Sequence, residues 1–139
     1  MTLSDRLCVF CNIIQKEAPA SVVYEDDKMM AFMSNRPVNV GHTLVVPKKH
    51  YVNIYEMPEN EVADLFRVAK RVAQAVRSAT GNEHIRIVQN NGVDAGQVIF
   101  HVHVHIIPMK PHNHLIFENQ LRSHELLQGD AEKIRRNLI

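Results

Sequence analysis

The chain has 139 residues, of which 45% are hydrophobic and 22% are charged, and its formal net charge is +1 at pH 7. This length suits one domain with a single core, predicted to span residues 1–139, and the small net charge argues against nucleic-acid binding and favours a small ligand. No hydrophobic signal region opens the chain and no apolar run approaches the ~20 residues that span a bilayer, so we expect a cytoplasmic protein without a membrane partner.

Two cysteines, Cys8 and Cys11, form a Cys-x-x-Cys pair near the N-terminus. In the cytoplasm such residues are thiols or metal ligands more often than a disulfide. Two thiolates at this spacing can chelate one zinc ion if two further ligands come from elsewhere. A redox pair and inert thiols are the alternatives, although no strand precedes the pair as thioredoxin-like motifs require. Residues 12–16 suit one or two helical turns.

The next segments predict a hairpin, a loop and a third strand. Residues 21–24 and 29–33 are the two strands of the hairpin, and they are joined by a polar turn. Residues 34–41 show no period and are predicted to be a loop. Residues 42–47 form an apolar strand that ends in a basic turn, Lys48-Lys49-His50.

Apolar residues recur at intervals of three and four from Val62 to Val76, which predicts the one long helix of the chain. Pro58 suits its start and Gly81 its end. Residues 84–89 are predicted to be a strand. They lead into the loop 90–96, whose glycines let backbone amides approach a phosphate.

Residues 97–108 are predicted to be a strand, because valine, isoleucine and phenylalanine dominate and polar and apolar residues alternate. His101, His103 and His105 then share one face, with apolar residues on the other. Neighbouring histidines would lie ~7 Å apart and the outer pair ~13 Å apart, too far for the outer two to hold one ion together. A solvated strand face, or a patch with affinity for transition metals, is the alternative.

The C-terminal tail shows no motif to which we assign a function. His112 and His114 are expected to be solvated in a polar turn, and residues 115–117 to form a short edge strand. Ala131 to Leu138 is predicted to be a terminal helix with Asp130 at its cap.

The three histidines occupy every second position of the segment, after a glycine-containing loop and before a proline. This pattern resembles the histidine triad (HIT) family in its Hint-like branch. The resemblance rests on residues 101–107 and extends upstream to segments within 90–97, 41–50 and 8–11, in the family's order. It implies an α+β fold with an antiparallel sheet of about five strands, one main helix and short terminal helices. The family core would span residues 8–110, with residues 111–139 as a tail, and the protein would be a homodimer.

The resemblance also implies a nucleotide hydrolase or phosphoramidase that cleaves an AMP-type or GMP-type monophosphate from an amine or a phosphate. Neutral imidazole is a good nucleophile toward phosphorus near pH 7, and water can break the resulting N–P bond. On the family's pattern His103 is the nucleophile. His105 would hydrogen-bond the phosphate and the leaving group, His42 would help bind or protonate the substrate, and His101 would orient the site or bind zinc.

The implied substrate-binding residues are Asn90, Gly96 and Gln97 at the phosphate and Ser34 at the ribose. Ser34 stands where the family has an aspartate that binds the ribose hydroxyls, and one hydroxyl cannot offer two carboxylate acceptors to a diol. Val98 stands where members often present a serine or threonine to the phosphate. One phosphate contact is therefore absent.

The implied cofactor is a structural zinc ion. Members with the N-terminal cysteine pair complete the site with the positions that are His50 and His101 here, so Cys8 and Cys11 would share the ion with these histidines. Two other functions stay open. One is a dinucleoside polyphosphate hydrolase, and the other is a nucleotide-binding or scaffold protein with incidental catalysis, which Ser34 keeps plausible.

Overall fold

The computed structural model describes residues 3–111 and 120–139, and these contain four α-helices, two short 3-10 helices and five strands. The α-helices are α1 (Leu3–Leu7), α2 (Val9–Ile14), α3 (Glu59–Thr80) and α4 (His124–Arg136), and the strands are β1 (Val22–Glu25), β2 (Met29–Met33), β3 (Thr43–Pro47), β4 (His84–Gln89) and β5 (Val104–Met109). Among the residues so described, no helix is both long enough and apolar enough to cross a membrane.

The strands form one antiparallel sheet in the order β1-β2-β3-β5-β4. Short connections keep the first three strands side by side. The long helix α3 then carries the chain to the far edge, and β5 returns between β3 and β4. The predicted α+β fold, with one main helix and short helices near the termini, is confirmed.

The two faces of the sheet are covered differently. On one face Val45, Val104 and Ile106 are fully buried under α3 and α4, in the larger core cluster. The other face carries Phe32 and Leu44, which pack with α2 and both cysteines in a smaller cluster. The histidine site lies on this second face.

The ends of α3 agree with the predicted signals. Pro58 is the N-terminal cap residue, and Gly81 follows the last helical residue with φ of +70°, in the left-handed region that glycine adopts without strain. The predicted strand at residues 84–89 is confirmed as β4.

The predicted strand over residues 97–108 is too long, because β5 begins only at Val104. Continuing the register of β3 with β5 would pair Val102 with Pro47, which has no N–H to donate. Val102 instead donates its N–H to the carbonyl of Tyr51 at 2.8 Å. The alternation survives beyond the ladder, since Val102 is buried in the larger core while His101 lies with the other face.

The predicted terminal helix is also wrong at its start. α4 begins at His124, and Ser123 caps it by accepting the N–H of Leu126. Asp130 lies inside the helix and pairs with Arg122. The sequence pattern did not indicate a helix before Ala131, because glycine has a low helix propensity and Gly129 lies in this stretch. Tertiary packing can still support the helix there. The predictions for His112, His114 and residues 115–117 lie outside the described residues.

Candidate active site and metal centre

Of the three histidines, His101 and His103 are buried and His105 is partly buried. His101 is 0% exposed and His103 is 7% exposed. Phe10 from α2 packs edge-on against both rings, at centroid distances of 5.9 and 5.1 Å. A hydrated strand face is therefore the wrong description of these imidazoles, and their hydrogen bonds decide their chemistry.

Adjacent histidines of the row hold their protons on different ring nitrogens. Nε2 of His101 lies 2.8 Å from the carbonyl oxygen of Pro47, and Nδ1 of His103 lies 2.7 Å from the carbonyl oxygen of His101. A carbonyl oxygen only accepts, so we assign the ring N–H to the nitrogen that faces it. In the neutral rings the lone pair is then on Nδ1 of His101 and on Nε2 of His103.

A third and a fourth histidine form a connected chain of hydrogen bonds. The backbone N–H of Val38 donates to Nδ1 of His42 at 3.0 Å, so Nε2 of His42 carries the proton. That nitrogen lies 3.1 Å from Nδ1 of His105 and donates to it. Neutral His105 therefore keeps its own proton on Nε2. Its ring centroid lies 4.8 Å from that of His103, so the two rings are neighbours.

These imidazoles are held neutral. Burial, and then repulsion from His105 and His103, lowers the pKa of His42 to about 3. Burial, and then His103, lowers the pKa of His105 to about 4. Burial also lowers the pKa of His103, although its hydrogen bond to the His101 carbonyl opposes the change. Neutral imidazole is the nucleophilic form.

A cavity of about 410 Å³, here called the histidine cavity, opens in front of His42, His103 and His105. Three of the predicted substrate-binding residues line it, namely Ser34, Asn90 and Gly96. Gly96 has φ of +93°, which a side chain would strain. Val98 also lines the cavity and is 81% exposed, so an apolar side chain stands at its mouth.

Gln97 has a different place from the predicted one. It is 3% exposed and is not among the residues that line the histidine cavity. Its Oε1 accepts the N–H of Gly92 at 2.8 Å, and its Nε2 donates to the carbonyls of Val52 and Ile99. The side chain therefore holds the glycine loop in shape from below, while the loop faces the cavity.

The sequence-based prediction does not include several residues of the cavity. Arg86 and Val88 on β4 line it beside the predicted Asn90. They alternate along the strand, and Val88 lies opposite His105 in the register. Residues 86, 88 and 90 lie on the same side of the extended chain, and this alternation is the sequence signal that could have identified Arg86 and Val88. Phe10, from the N-terminal helix, has no such signal, because only the tertiary fold brings it to the histidines.

The predicted metal ligands meet in one cluster. The ligand atoms of Cys8, Cys11, His50 and His101 all lie within 4.8 Å of one another. Sγ of Cys8 lies 3.4 Å from Nδ1 of His101, and Sγ of Cys11 lies 3.2 Å from Nδ1 of His50. Bonds of ~2.0 to 2.3 Å in a tetrahedral zinc site separate ligand atoms by roughly 3.3 to 3.8 Å. The cluster is close to that size.

The donor set also fits zinc chemically. The His101–Pro47 hydrogen bond leaves Nδ1 of His101 free to coordinate, and a carbonyl on the second ring nitrogen commonly orients a zinc-bound histidine. Without a cation, burial and the neighbouring Cys8 and Asp5 raise the pKa of the Cys11 thiol to about 12. A bound zinc ion would reverse this by stabilising the thiolate.

Comparisons with known proteins agree with this geometry. The family model described as HIT domain matches residues 15–112. The chain is 41% identical over 128 residues to adenylylsulfatase HINT3 of Arabidopsis thaliana, covering 91% of this chain and 65% of that protein. It is 37% identical over 106 residues to adenosine 5'-monophosphoramidase HNT1 of Saccharomyces cerevisiae, covering 76% of this chain and 65% of that protein. The chain thus spans just under two thirds of the length of each relative.

Solved structures are similar as well. A Hit-like protein from Bartonella henselae superposes with a TM-score of 0.89 at 34% identity, covering 96% of this chain and 97% of that one. A zinc-bound histidine triad family protein from Mycobacterium smegmatis superposes with a TM-score of 0.84 at 32% identity, covering 96% and 94%. These similarities extend over nearly the whole fold.

Proposed function

Because the chain belongs to the HIT-domain family, we propose that it is a nucleotide hydrolase that cleaves a nucleoside monophosphate from an amine through a covalent nucleotidyl intermediate on His103. One observation carries the proposal. The lone pair of His103 is on Nε2, the ring lines a cavity, and the donor His105 lies beside it. A nucleophile and a proton donor on neighbouring rings can act on one phosphorus, which supports the proposal.

In the first step Nε2 of His103 bonds to phosphorus while the bond from phosphorus to the leaving nitrogen breaks. The leaving nitrogen takes the proton from Nε2 of His105, whose other nitrogen is held by His42. In the second step water attacks phosphorus, the N–P bond to His103 breaks, and the proton from water returns to His105. The products are a nucleoside monophosphate and an amine, and both histidines recover their starting state.

Zinc would be held by Cys8, Cys11, His50 and His101, where it would supply folding stability. Four protein ligands close a tetrahedral site and leave no position for an activated water. The phosphate chemistry in this proposal is therefore assigned to imidazoles and to backbone amides of the loop that contains Gly96.

The names of both relatives indicate substrates with an adenylyl group, which supports such a substrate here. The leaving groups that the two names imply are different. One relative is named an adenylylsulfatase and the other an adenosine monophosphoramidase. A dinucleoside polyphosphate hydrolase is the second candidate, and Arg86 favours it, because a guanidinium at the cavity wall can hold further phosphate groups.

The test is steady-state kinetics on adenosine 5'-phosphoramidate, adenylyl sulfate and diadenosine tetraphosphate under identical conditions. We expect the highest kcat/KM on the phosphoramidate, and mass spectrometry of the quenched reaction should show an added adenylyl group on His103. A label on another residue would contradict the assigned nucleophile. Preference for diadenosine tetraphosphate would favour the second candidate, and no turnover of any of them would leave a nucleotide-binding or scaffold role.

A single domain over residues 1–139 that pairs as a homodimer is also part of the proposal. Leu127, Ala131 and Ile134 of α4 pack into the larger core, which supports one folding unit. Light scattering coupled to size exclusion should give a mass of twice 15.9 kDa. A monomer mass at micromolar concentration would contradict the dimer.

A further inference from the structure

Arg86 lies near the residue that would protonate the leaving group. It lines the histidine cavity from β4, together with Val88. In the register of β4 with β5, Val88 lies directly opposite His105, and Arg86 lies opposite Ile107, which also lines the cavity. Arg86 is therefore the diagonal neighbour of His105 on the same face of the sheet, and such neighbours lie ~7–8 Å apart, within reach of long side chains. Its guanidinium can reach a group attached to the nitrogen that leaves phosphorus.

The lining of the histidine cavity carries positive charge without a matching negative charge. Among the residues that the structure describes, no Asp or Glu lines this cavity. The lowered pKa values of His42, His103 and His105 keep these imidazoles neutral, so they add no charge of their own. In the proposed function the loop amides at Gly96 bind the phosphoryl oxygens. The charge of Arg86 is then left for a second anionic group on the substrate.

The guanidinium of Arg86 is accessible to a ligand. Arg86 is exposed, and within residues 3–111 and 120–139 no Asp or Glu forms an ion pair with it. A planar guanidinium donates two parallel N–H bonds to the two oxygens of a carboxylate or a phosphate, which makes arginine suited to such groups. Because the apolar side chains of Val88 and Ile107 flank it, an ion pair here should be stronger than one on an open surface.

We infer that Arg86 is a specificity-determining residue, which binds an anionic group on the leaving group of the substrate. This inference rests on the proposed function and specifies its leaving group. The anionic group has two possible sources, namely the carboxylate of an amino acid joined to phosphorus through its amine, and a further phosphate. Both offer a pair of oxygens to the guanidinium, and the experiments below distinguish them.

The first test compares two phosphoramidates of AMP, one with glycine and one with glycinamide, which replaces the carboxylate by a neutral amide. Arg86→Gln should lower the ratio of kcat/KM for the glycine substrate to that for the glycinamide substrate about five- to tenfold, because only the carboxylate pairs with the guanidinium. Turnover of the glycinamide substrate should stay within about twofold of wild type. Arg67→Gln makes the same change at an exposed position of α3 and should match wild type on both substrates.

The charge dependence separates this role from a structural one. Raising the salt concentration from about 50 to 500 mM should lower the ratio in wild type and leave it nearly constant in Arg86→Gln, because salt screens an exposed ion pair. Arg86→Lys keeps the charge without the planar fork, so its ratio should lie between the two. Arg86→Gln should melt like wild type, since the side chain is exposed. An equal loss of activity on both substrates, with a lower melting temperature, would overturn the inference.

A binding measurement separates failure of the proposed function from failure of this inference. Calorimetric titration with AMP and with ADP requires no turnover, and ADP adds a second phosphate to the same nucleoside. Weaker binding of ADP by Arg86→Gln, with AMP binding unchanged, would assign the further phosphate to Arg86. A change confined to the glycine substrate would assign the carboxylate. If neither the substrate ratio nor the preference for ADP over AMP changes, Arg86 binds no anionic group and the inference is wrong.

Discussion

The cluster of candidate metal ligands (Cys8, Cys11, His50 and His101) and the histidine cavity lie at opposite ends of one short run of alternating histidines, and they use adjacent imidazoles in opposite tautomers. In the cluster of candidate metal ligands, Nε2–H of His101 donates to the carbonyl of Pro47, so Nδ1 faces the two thiols. At the cavity, Nδ1–H of His103 donates to the carbonyl of His101, so Nε2 carries the lone pair. The two residues have the same side chain and nearly the same burial.

The difference shows that the hydrogen bond on the second ring nitrogen decides what a buried histidine does. Burial keeps both imidazoles neutral, and a backbone carbonyl then selects which nitrogen has the lone pair. The selected nitrogen of His101 meets sulfur atoms, which suits a metal ligand. That of His103 belongs to a ring that lines a cavity, which suits a nucleophile.

The largest effect should follow from replacing His103. His103→Asn should lower kcat/KM on a nucleoside phosphoramidate by about a thousandfold or more, roughly 4 kcal/mol, because it removes the proposed nucleophile. His103→Ala should lose as much activity but should also be less stable, since it leaves a void beside Phe10. His84→Gln removes an exposed imidazole of β4 and is the control. Activity of His103→Asn near that of wild type would refute the mechanism.

Replacing either cysteine should affect the His101 end of the run of histidines, where the candidate metal ligands lie. Cys8→Ser and Cys11→Ser should each lose the metal, which we expect at about one zinc per chain in the wild type. Each melting temperature should fall by roughly 10 °C, because metal binding contributes to folding free energy. Metal analysis and thermal melts measure both effects. Wild-type protein that is free of metal and melts like the variants would return the cysteines to inert thiols.

Low pH should lower the folding stability of the protein through the buried His42 of the histidine cavity. The pKa of His42 is near 6.5 in an unfolded chain and about 3 in the fold, because of burial and the nearby His105 and His103. Between these values the unfolded state binds more protons at this residue, so stability is full above about pH 6.5 and falls with pH by up to about 1.4 kcal/mol per unit. Urea unfolding of wild type and His42→Asn between about pH 7 and pH 4 tests this. An equal slope in both proteins would contradict it.

The smallest expected effect concerns the ribose. Ser34 lines the cavity, and its Oγ accepts the N–H of Arg36 at 3.4 Å. Ser34→Asp should lower KM for ribonucleotide substrates about fivefold, roughly 1 kcal/mol, with a smaller change in kcat, because a carboxylate can accept from both ribose hydroxyls. A 2',3'-dideoxy substrate should not benefit. If KM for the ribonucleotide is unchanged, other residues hold the ribose.

Elements with a strong local signal are predictable from the sequence. The three- and four-residue period of α3 and its terminal Pro58 and Gly81 identify the long helix, and β-rich composition identifies the strand β4. The start of β5 is not predictable in this way, because it depends on a proline of the neighbouring strand β3. The start of α4 is not predictable from the sequence either. Its packing against α3 and the sheet outweighs the low helix propensity of Gly129.

The candidate site divides in the same way. The spacing of Cys8 and Cys11 and the alternation of the three histidines are local patterns. They can therefore identify candidate ligands and a candidate nucleophile without knowledge of the fold. The involvement of Gln97 in the loop, and of Arg86 in the cavity wall, depends on contacts across the fold.

The amino-acid sequence by itself determined which residues could be ligands and nucleophiles, because residue type and spacing along the chain fix chemical capability and the face of a strand. Only the tertiary structure decided which ring nitrogen of each histidine carries the proton. It also decided that Phe10 of α2 packs against the rings of His101 and His103. Both outcomes depend on groups that are remote in sequence, such as the carbonyl of Pro47, 54 residues before the ring of His101 that it meets.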